Sequence, residues 1–512
     1  MIVEDQSEVI KFLSGARAFG IGGDDVARIE THISIIFLTN DRVFKLKRAV
    51  KFPYLDFSTA DRRRAACEAE VAINRRTAPG LYRGIVAIKR ASDGSLHLQG
   101  DGEPVDWLVE MARFDEDTLF DHLAQRGELD RHDMENLAEA IARLHGMAAK
   151  RADHGGRSGM AAIIDGNAET FDEFAEGGLD PAEVDRLNGE CRRLLDDMAR
   201  FLEARRAAGF VRHCHGDLHL RNICMYGGEP TLFDAIEFNE TLSNIDVLYD
   251  LAFLLMDLDH RDLRRLANIV LNRYLDITAD TGGLKAMPLF LAIRAAIRSH
   301  VNAAMTATLD DGGDGEGRRQ EARSYLSMAL AYISPPPARV VAVGGLSGSG
   351  KSRLGRELAP CMGAPPGARL ARSDVLRKRL AGVPLLARLG AEGYSEEMTE
   401  RTYRELYEEA RTALDAGYSV VADAVFAKLE QRQAIEAVAA EARVPFQGIW
   451  LEAPREIMEQ RIRDRRQNVS DATAEVVRQQ LAYDLGPLTW PRIDSSGPRE
   501  DTLSQGLRLL AP

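Results

Sequence analysis

One octet restricts its surroundings more than any other stretch of the chain: Gly345-Leu-Ser-Gly-Ser-Gly-Lys-Ser352. It reads G-x-x-x-x-G-K-[ST] and stands between a β-run, Arg339-Val-Val-Ala-Val-Gly344, and a helical stretch from Arg353 to Ala359. The glycines let backbone N–H groups wrap a phosphate, and the helix N-terminus adds its dipole. In such a loop Lys351 reaches the β- and γ-phosphates and the Ser352 hydroxyl meets Mg²⁺. Gly345, Leu346, Ser347, Gly348, Ser349, Gly350, Lys351 and Ser352 are therefore expected to contact a nucleotide. Strand and helix signals alternate across 339–512, which predicts an α/β domain: a doubly wound parallel sheet with helices on both faces.

Other segments of this half fit phosphoryl transfer. Val420-Val-Ala-Asp423 ends a strand on an acid, and Asp423 is the expected second Mg²⁺ ligand beside Ser352. Ala424 follows where motor-type ATPases place a water-activating glutamate, which speaks against a mechanical ATPase. Ser373-Asp-Val-Leu-Arg377 resembles the Asp-x-x-Arg element of P-loop kinases such as polynucleotide kinases and zeta-type toxins. The resemblance implies that Asp374 accepts the proton of an acceptor hydroxyl and that Arg377 grips an anionic group. Arg455 to Arg466 is strongly basic, with Arg461 and Arg465 on one helix face at i, i+4 and Arg466 beside them. An arginine-bearing lid would supply charge to the transferred phosphate and exclude water.

The N-terminal half carries a second constellation. His213-Cys-His-Gly-Asp-Leu-His-Leu-Arg-Asn222 puts Asp217 and Asn222 on one short loop, and Leu232-Phe233 then delivers Asp234 at a strand end. Phosphoryl transfer from ATP needs one carboxylate to orient the acceptor hydroxyl, and an amide with a second carboxylate to hold Mg²⁺ against the phosphates. The spacing is that of the protein-kinase catalytic loop and its metal-binding aspartate. The run resembles the signature of aminoglycoside phosphotransferase-like, protein-kinase-like enzymes. Asp246-Val-Leu-Tyr-Asp-Leu-Ala252 resembles the helix start that follows this site in that family. The resemblance implies an α+β, bilobal protein-kinase-like fold, ATP and Mg²⁺ as cofactors, Asp217 as base, and Asn222 and Asp234 on the metal. Glu30-Thr-His-Ile-Ser34, Lys45-Leu-Lys47 and Asn74-Arg-Arg76 further resemble a bacterial branch in which such a half is fused to a P-loop half.

Upstream, a helix with Val9, Phe12 and Leu13 precedes a glycine turn at Gly20–Gly23. Two β-runs, 31–38 and 43–47, flank the polar turn Thr39–Arg42 and predict a hairpin. Alternation puts Val43, Lys45 and Lys47 on one face. In the kinase lobe such a strand brings a lysine to the phosphates. Lys45 is favoured, because Val43 then lines the adenine slot, and Lys47 is the alternative. The helix from Ala60 to Arg76 carries Glu68 and Glu70, and the family's spacing favours Glu70 as the lysine's partner. Asp106 to Phe114 reads as a buried strand running into the interlobe connector, with Glu110 and Met111 as adenine contacts. The stretch 115–210 is helical in pattern, with His145 as a packing histidine. Helices resume after the catalytic segment as far as about residue 333, interrupted by the acidic glycine run 310–317.

Ser334-Pro-Pro-Pro337 ends the helical region, and the expected domains are 1–335 and 338–512. A chain of 512 residues needs two or three cores. A net charge of −13 argues against general nucleic-acid binding. The five cysteines show no CxxC pair, as expected of a reducing cytoplasm, and no signal peptide or membrane-spanning run is read. The expected partners are ATP and a hydroxyl-bearing substrate. The rival reading is a nucleotide sensor in which one half binds ATP without transferring it.

Overall fold

A computed structural model describes residues 3–22, 26–52, 55–174, 178–307, 315–464 and 469–510. Gly23, residues 310–314 of the acidic glycine run, and Arg465 and Arg466 of the expected lid lie outside the described residues. Two compact units emerge: Met1–Ala162 with Ala199–Leu254, and Ile163–Met198 with Leu255–Pro512.

In the first unit α1 (Ser7–Ser14) precedes β1 (Ala27–Glu30), β2 (Ser34–Leu38) and β3 (Arg42–Lys47). A short hairpin, β4 (Lys51–Phe52) and β5 (Leu55–Asp56), leads into α2 (Ala60–Asn74), whose N-cap Thr59 accepts the Arg62 N–H. Then come β6 (Tyr82–Arg90), β7 (Leu96–His97) and β8 (Glu103–Ala112). The six-stranded sheet runs β1-β2-β3-β8-β6-β7, antiparallel throughout. Period-two alternation in β3 sends Phe44 and Leu46 into a core with Phe19, Phe37 and Ile88. Val43 goes to the opposite core, with Val71 of α2 and Met111. Lys45 and Lys47 share that side, so both ammoniums meet the helix.

The chain continues through α3 (Phe120–Gln125), α4 (Arg131–Met147), α5 (Gly156–Glu173), α6 (Pro181–Asp197) and α7 (Ala199–Ala208). A capping box between Asp130 and Asp133 starts α4. Next are β9 (Val211–His213), the hairpin β10 (Ile223–Tyr226) and β11 (Glu229–Leu232), α8 (Glu240–Ser243), β12 (Asn244–Asp246) and α9 (Val247–His260). β9 pairs with β12, on either side of the hairpin in sequence.

The second unit takes in α6 and most of α5, and it holds α10 (Arg264–Thr278), α11 (Met287–Ala307) and α12 (Gly315–Tyr332), the last two packed along each other. Beyond the prolines lie β13 (Val340–Gly345), α13 (Lys351–Leu358), β14 (Arg369–Arg372), α14 (Ser373–Leu380), α15 (Glu396–Asp415), β15 (Val420–Asp423) and α16 (Leu429–Glu441). β16 (Phe446–Glu452), α17 (Arg455–Arg463), α18 (Ala474–Leu481), β17 (Arg492–Asp494) and α19 (Arg499–Leu510) complete it. The sheet is parallel, in the order β14-β15-β13-β16-β17. One face packs Val341, Val343, Ile449 and Leu451 under Leu354 and Leu358 of α13 and Leu503 of α19. On the other, Trp490 closes over Gly448 and donates its Nε1–H to Glu436 of α16 at 2.7 Å. This is the doubly wound arrangement that the strand–helix alternation predicts.

The edge strand β14 is covered rather than open. Asn272 of α10 accepts the Leu370 N–H at 2.7 Å and donates to the Ala368 carbonyl at 3.1 Å, standing in for a neighbouring strand. Arg369 is wholly buried between Asp276 (2.7 Å) and Glu409 of α15 (2.8 Å). Removing one member of such a pair leaves an uncompensated buried charge. Arg369→Met is expected to lower stability by about 3–5 kcal/mol, read by chemical denaturation followed through tryptophan fluorescence.

Candidate functional site

The loop between β9 and β10 is held from below by Asp250 of α9. This carboxylate is fully buried, and it accepts the N–H groups of His215 (3.0 Å) and Gly216 (2.8 Å). His145 Nε2 lies 3.1 Å from the same carboxylate, so the packing histidine of the sequence also has a polar partner. Gly216 has φ +85°, and a Cβ there would come 3.0 Å from the Leu242 carbonyl oxygen, which explains glycine between His215 and Asp217. His215 is buried, and burial lowers its pKa despite Asp250 and Asp217 nearby; its Nε2 lies 2.9 Å from the Phe233 carbonyl.

Asp217 and Asn222 meet on this loop. Asn222 Nδ2 donates to Asp217 Oδ2 and to the Asp217 carbonyl, both at 2.9 Å. That commitment leaves Asn222 Oδ1 as the atom it can offer a cation. The Phe233 N–H donates to the Asn222 carbonyl at 3.0 Å, so Asn222 and Asp234 emerge at the same end of the β10–β11 hairpin. Asp234 has φ +61°, and its N–H donates to Tyr82 Oη at 3.2 Å. The next N–H, of Ala235, goes to Asn74 Oδ1 at 2.8 Å. The Asp234 side chain is 42% exposed. An amide oxygen and a carboxylate at one hairpin end are hard donors that suit Mg²⁺.

Both lysines of β3 meet Glu70. Lys45 Nζ lies 3.0 Å from Glu70 Oε1 and 2.6 Å from Asp234 Oδ1, while Lys47 Nζ pairs with Glu70 Oε2 and with Glu237. Burial alone would push the Glu70 carboxyl up, but Lys45 and Lys47 together hold it at about 2. Glu68 instead points outward to Arg64 at 2.9 Å. Glu110 and Met111 stand inside β8, flanked by β3 and β6, with the Glu110 carboxylate 3.6 Å from Arg42 and 3.8 Å from Arg83. Met111 packs with Val43 and Val71.

In the second unit Gly345 (φ +137°) and Gly348 (φ +87°) permit the turn of the loop. A Cβ on the first would lie 2.5 Å from the Leu451 carbonyl, and on the second 2.7 Å from that of Met458. Gly350 is the N-cap of α13, and Lys351 and Ser352 open its first turn. Lys351 Nζ donates to the Leu346 carbonyl at 3.0 Å, the Ser347 N–H to Gln480 Oε1 of α18 at 2.7 Å, and Ser495 Oγ to the Ser349 carbonyl at 2.7 Å. Arg461 donates to Ser495 at 2.5 Å and lies 3.5 Å from the Gly348 carbonyl. Asp423 sits at the C-terminal end of β15, 3.4 Å from Arg372 of β14. Ser352 and Asp423 offer a hydroxyl and a carboxylate, again hard oxygen donors.

Arg377 of α14 is buried, donates to the Gly393 carbonyl at 2.8 Å and lies over the Tyr394 ring. Burial raises the pKa of Tyr403, with Arg377 opposing and Asp374 and Asp423 reinforcing, and its Oη accepts the Phe426 N–H at 2.9 Å. Sequence reasoning missed Tyr82, Glu237, Arg372, Tyr403 and Gln480, and it named Asn74 without a role. Asn74 follows Glu70 by one helical turn, a spacing that marks it as facing the same way.

Residues 39–287 match the Phosphotransferase enzyme family, and residues 340–484 match the AAA domain family. The chain joins a phosphotransferase-family domain to a P-loop kinase-like domain. Uncharacterized proteins of Mycobacterium tuberculosis and Mycobacterium bovis are each 28% identical over 489 residues, covering 94% of this chain and 94% of theirs. Among solved structures, a choline/ethanolamine kinase family protein from Mesorhizobium loti covers 64% of this chain and 98% of its own, at 12% identity and TM-score 0.39. The APS kinase CysC of Mycobacterium tuberculosis covers 34% and 98%, at 22% identity and TM-score 0.26.

The Glu70 charge has a consequence for acid stability. Its folded pKa of about 2 lies below the ordinary 4.5, so the pair's contribution is present above 4.5 and is lost as pH falls through about 2. Glu70→Gln is expected to lose less stability than the parent between about pH 5 and about pH 3. Denaturant titrations at the two pH values check this, with Glu237 present in both proteins.

Proposed function

We propose that the chain is an ATP-dependent phosphotransferase with two nucleotide sites, each passing the γ-phosphoryl group of ATP to a hydroxyl acceptor. The observation that carries the reading is the meeting of Asp217, Asn222, Asp234 and Lys45 around one hairpin end. In the first site Asp217 orients the acceptor hydroxyl and takes its proton as the acceptor oxygen bonds to γ-phosphorus. The bond from γ-phosphorus to the bridging oxygen breaks, and ADP leaves. Lys45, held by Glu70, neutralises phosphate charge, and Asn222 Oδ1 with Asp234 would hold Mg²⁺. When bound, that ion supplies charge neutralisation across the β- and γ-phosphates. Lys45 and Lys47 together keep Glu70 ionised, and Glu110 and Met111, which lie in β8 rather than in the connector expected from the sequence, border the adenine from the end of that strand.

In the second site Gly345 to Ser352 cradle the phosphates, and Ser352 and Asp423 would hold the metal ion. Asp374 is the base, and Arg377 grips an anionic part of the acceptor. Arg461 and Arg465 belong to the lid. The functional domains are 1–335 and 338–512. Among the described residues no helix is long and apolar enough to cross a membrane. The cysteines are unpaired, and the reading places the chain in a reducing cytoplasm.

Labelled ATP incubated with the full chain and a pool of hydroxyl metabolites and aminoglycosides is expected to give new phosphorylated masses. Asp217→Ala should cut the transfer made by the first site about 10²–10⁴-fold while ATP binding persists, and Lys351→Ala should silence only the second. ATP hydrolysis with no labelled acceptor would overturn the proposal in favour of a nucleotide sensor.

A further inference from the structure

Glu237 has no part in the chemistry above, yet it is bound into the surroundings of the phosphate lysine. Its side chain is 4% exposed and its carboxylate meets Lys47, itself 1% exposed. Lys47 also holds Glu70 Oε2, and the other oxygen of Glu70 holds Lys45. Lys45 in turn bonds Asp234 at 2.6 Å. Carboxylate and ammonium therefore alternate from Asp234 through Lys45, Glu70 and Lys47 to Glu237, and the series begins and ends on one loop, three residues apart.

This arrangement has a mechanical meaning. A lysine with one buried acid partner can rotate toward either oxygen of Glu70, whereas Lys47 is fixed from its far side by Glu237. Glu70 Oε1 is thereby reserved for Lys45. When Lys45 turns from Asp234 toward phosphate, Glu70 keeps its second cation and its orientation. The same pair ties the loop just beyond Asp234 to β3.

We propose that Glu237 is a positioning residue of the first nucleotide site: through Lys47 it orients the Glu70 carboxylate that presents Lys45 to the phosphates, and it anchors the loop that carries Asp234. The inference rests on the phosphotransferase reading of that site.

The test measures MgATP affinity calorimetrically in the full chain carrying Lys351→Ala, which leaves the first site to be read, at a temperature well below each variant's unfolding midpoint. Glu237→Gln is expected to weaken MgATP binding roughly tenfold or more, the range for partners that orient a binding group. Because Glu237 acts through Lys47, Lys47→Met should weaken binding alike, and the double variant no more than Lys47→Met alone. The double variant removes both charges and leaves neither buried alone, so it keeps the test open if Glu237→Gln does not fold. MgATP affinity equal to the parent's in either Glu237→Gln or the double variant overturns the inference, whatever the melting temperature does. Losses that multiply in the double variant overturn it too, since the residues would then act independently. A parent that binds no MgATP overturns the phosphotransferase reading and this inference with it, a result distinct from a parent that binds and a variant that binds equally.

Discussion

The first unit depends on one carboxylate. Asp250 is fully buried, and a lone charge in that position would cost far more than any single contact returns. Its cost is met by two consecutive backbone N–H groups, of His215 and Gly216, and by His145 of α4. Those N–H groups are themselves buried donors that need an acceptor. The requirements of the acid and of the loop are thus met by the same bonds, and the direction in which Asp217 leaves the loop follows. A second buried pair repeats the device a turn earlier, where Arg205 of α7 takes both oxygens of Asp246 at 2.7 and 2.8 Å. Two charges near the start of α9 therefore fix the strand pair β9–β12, from which the loop is hung.

Asp234 shows how the surroundings hold a residue where its own preference would not. A non-glycine residue at φ +61° carries about 1–3 kcal/mol of backbone strain and persists there only where the neighbourhood over-determines it. Here three consecutive N–H groups are each taken by a different segment. Asp234 donates to Tyr82 of β6, Ala235 to Asn74 of α2, and Ile236 to the His215 carbonyl. Glycine would adopt the turn without strain but would offer no carboxylate, so the strain and the side chain belong together.

What the sequence displayed was local, and what it concealed was partnership. Asp217, Asn222 and Asp234 are close in the chain, and the glycine loop is one octet, so spacing alone carried them. The hairpin of β2 and β3 was legible from two β-runs about a polar turn, and the parallel sheet from alternating strands and helices. The choice between Lys45 and Lys47 stayed open because alternation puts both on one face. The structure shows both on Glu70, one on each carboxylate oxygen. Glu237 left no trace, since Asp234-Ala-Ile-Glu237 has no period that points its acid at a strand nearly two hundred positions earlier. Arg372 was invisible for a similar reason: its place beside Asp423 follows from the register of β14 on β15, which neither strand encodes alone.

The second unit shows how far a packing requirement can run from the motif it serves. β14 ends at Arg372, and α14, with Asp374 in its first turn, begins at the next residue. The placement of Asp374 is therefore set by whatever fixes β14. One side of that strand is paired with β15, and the other meets Asn272, with Arg369 neutralised by Asp276 and Glu409. Asn272 and Asp276 precede the Ser334–Pro337 break, within the residues matched by the phosphotransferase family, whereas Arg369 and Glu409 fall within the P-loop match. Residues on both sides of the break thus share one buried network, and a change in α10 reaches the start of α14 through a single strand. An arginine in that position cannot relax by deprotonation, so its charge has to be met by the acids that flank it. That pairing holds the carboxylate proposed as base at a fixed point on the sheet, much as Asp250 does for Asp217.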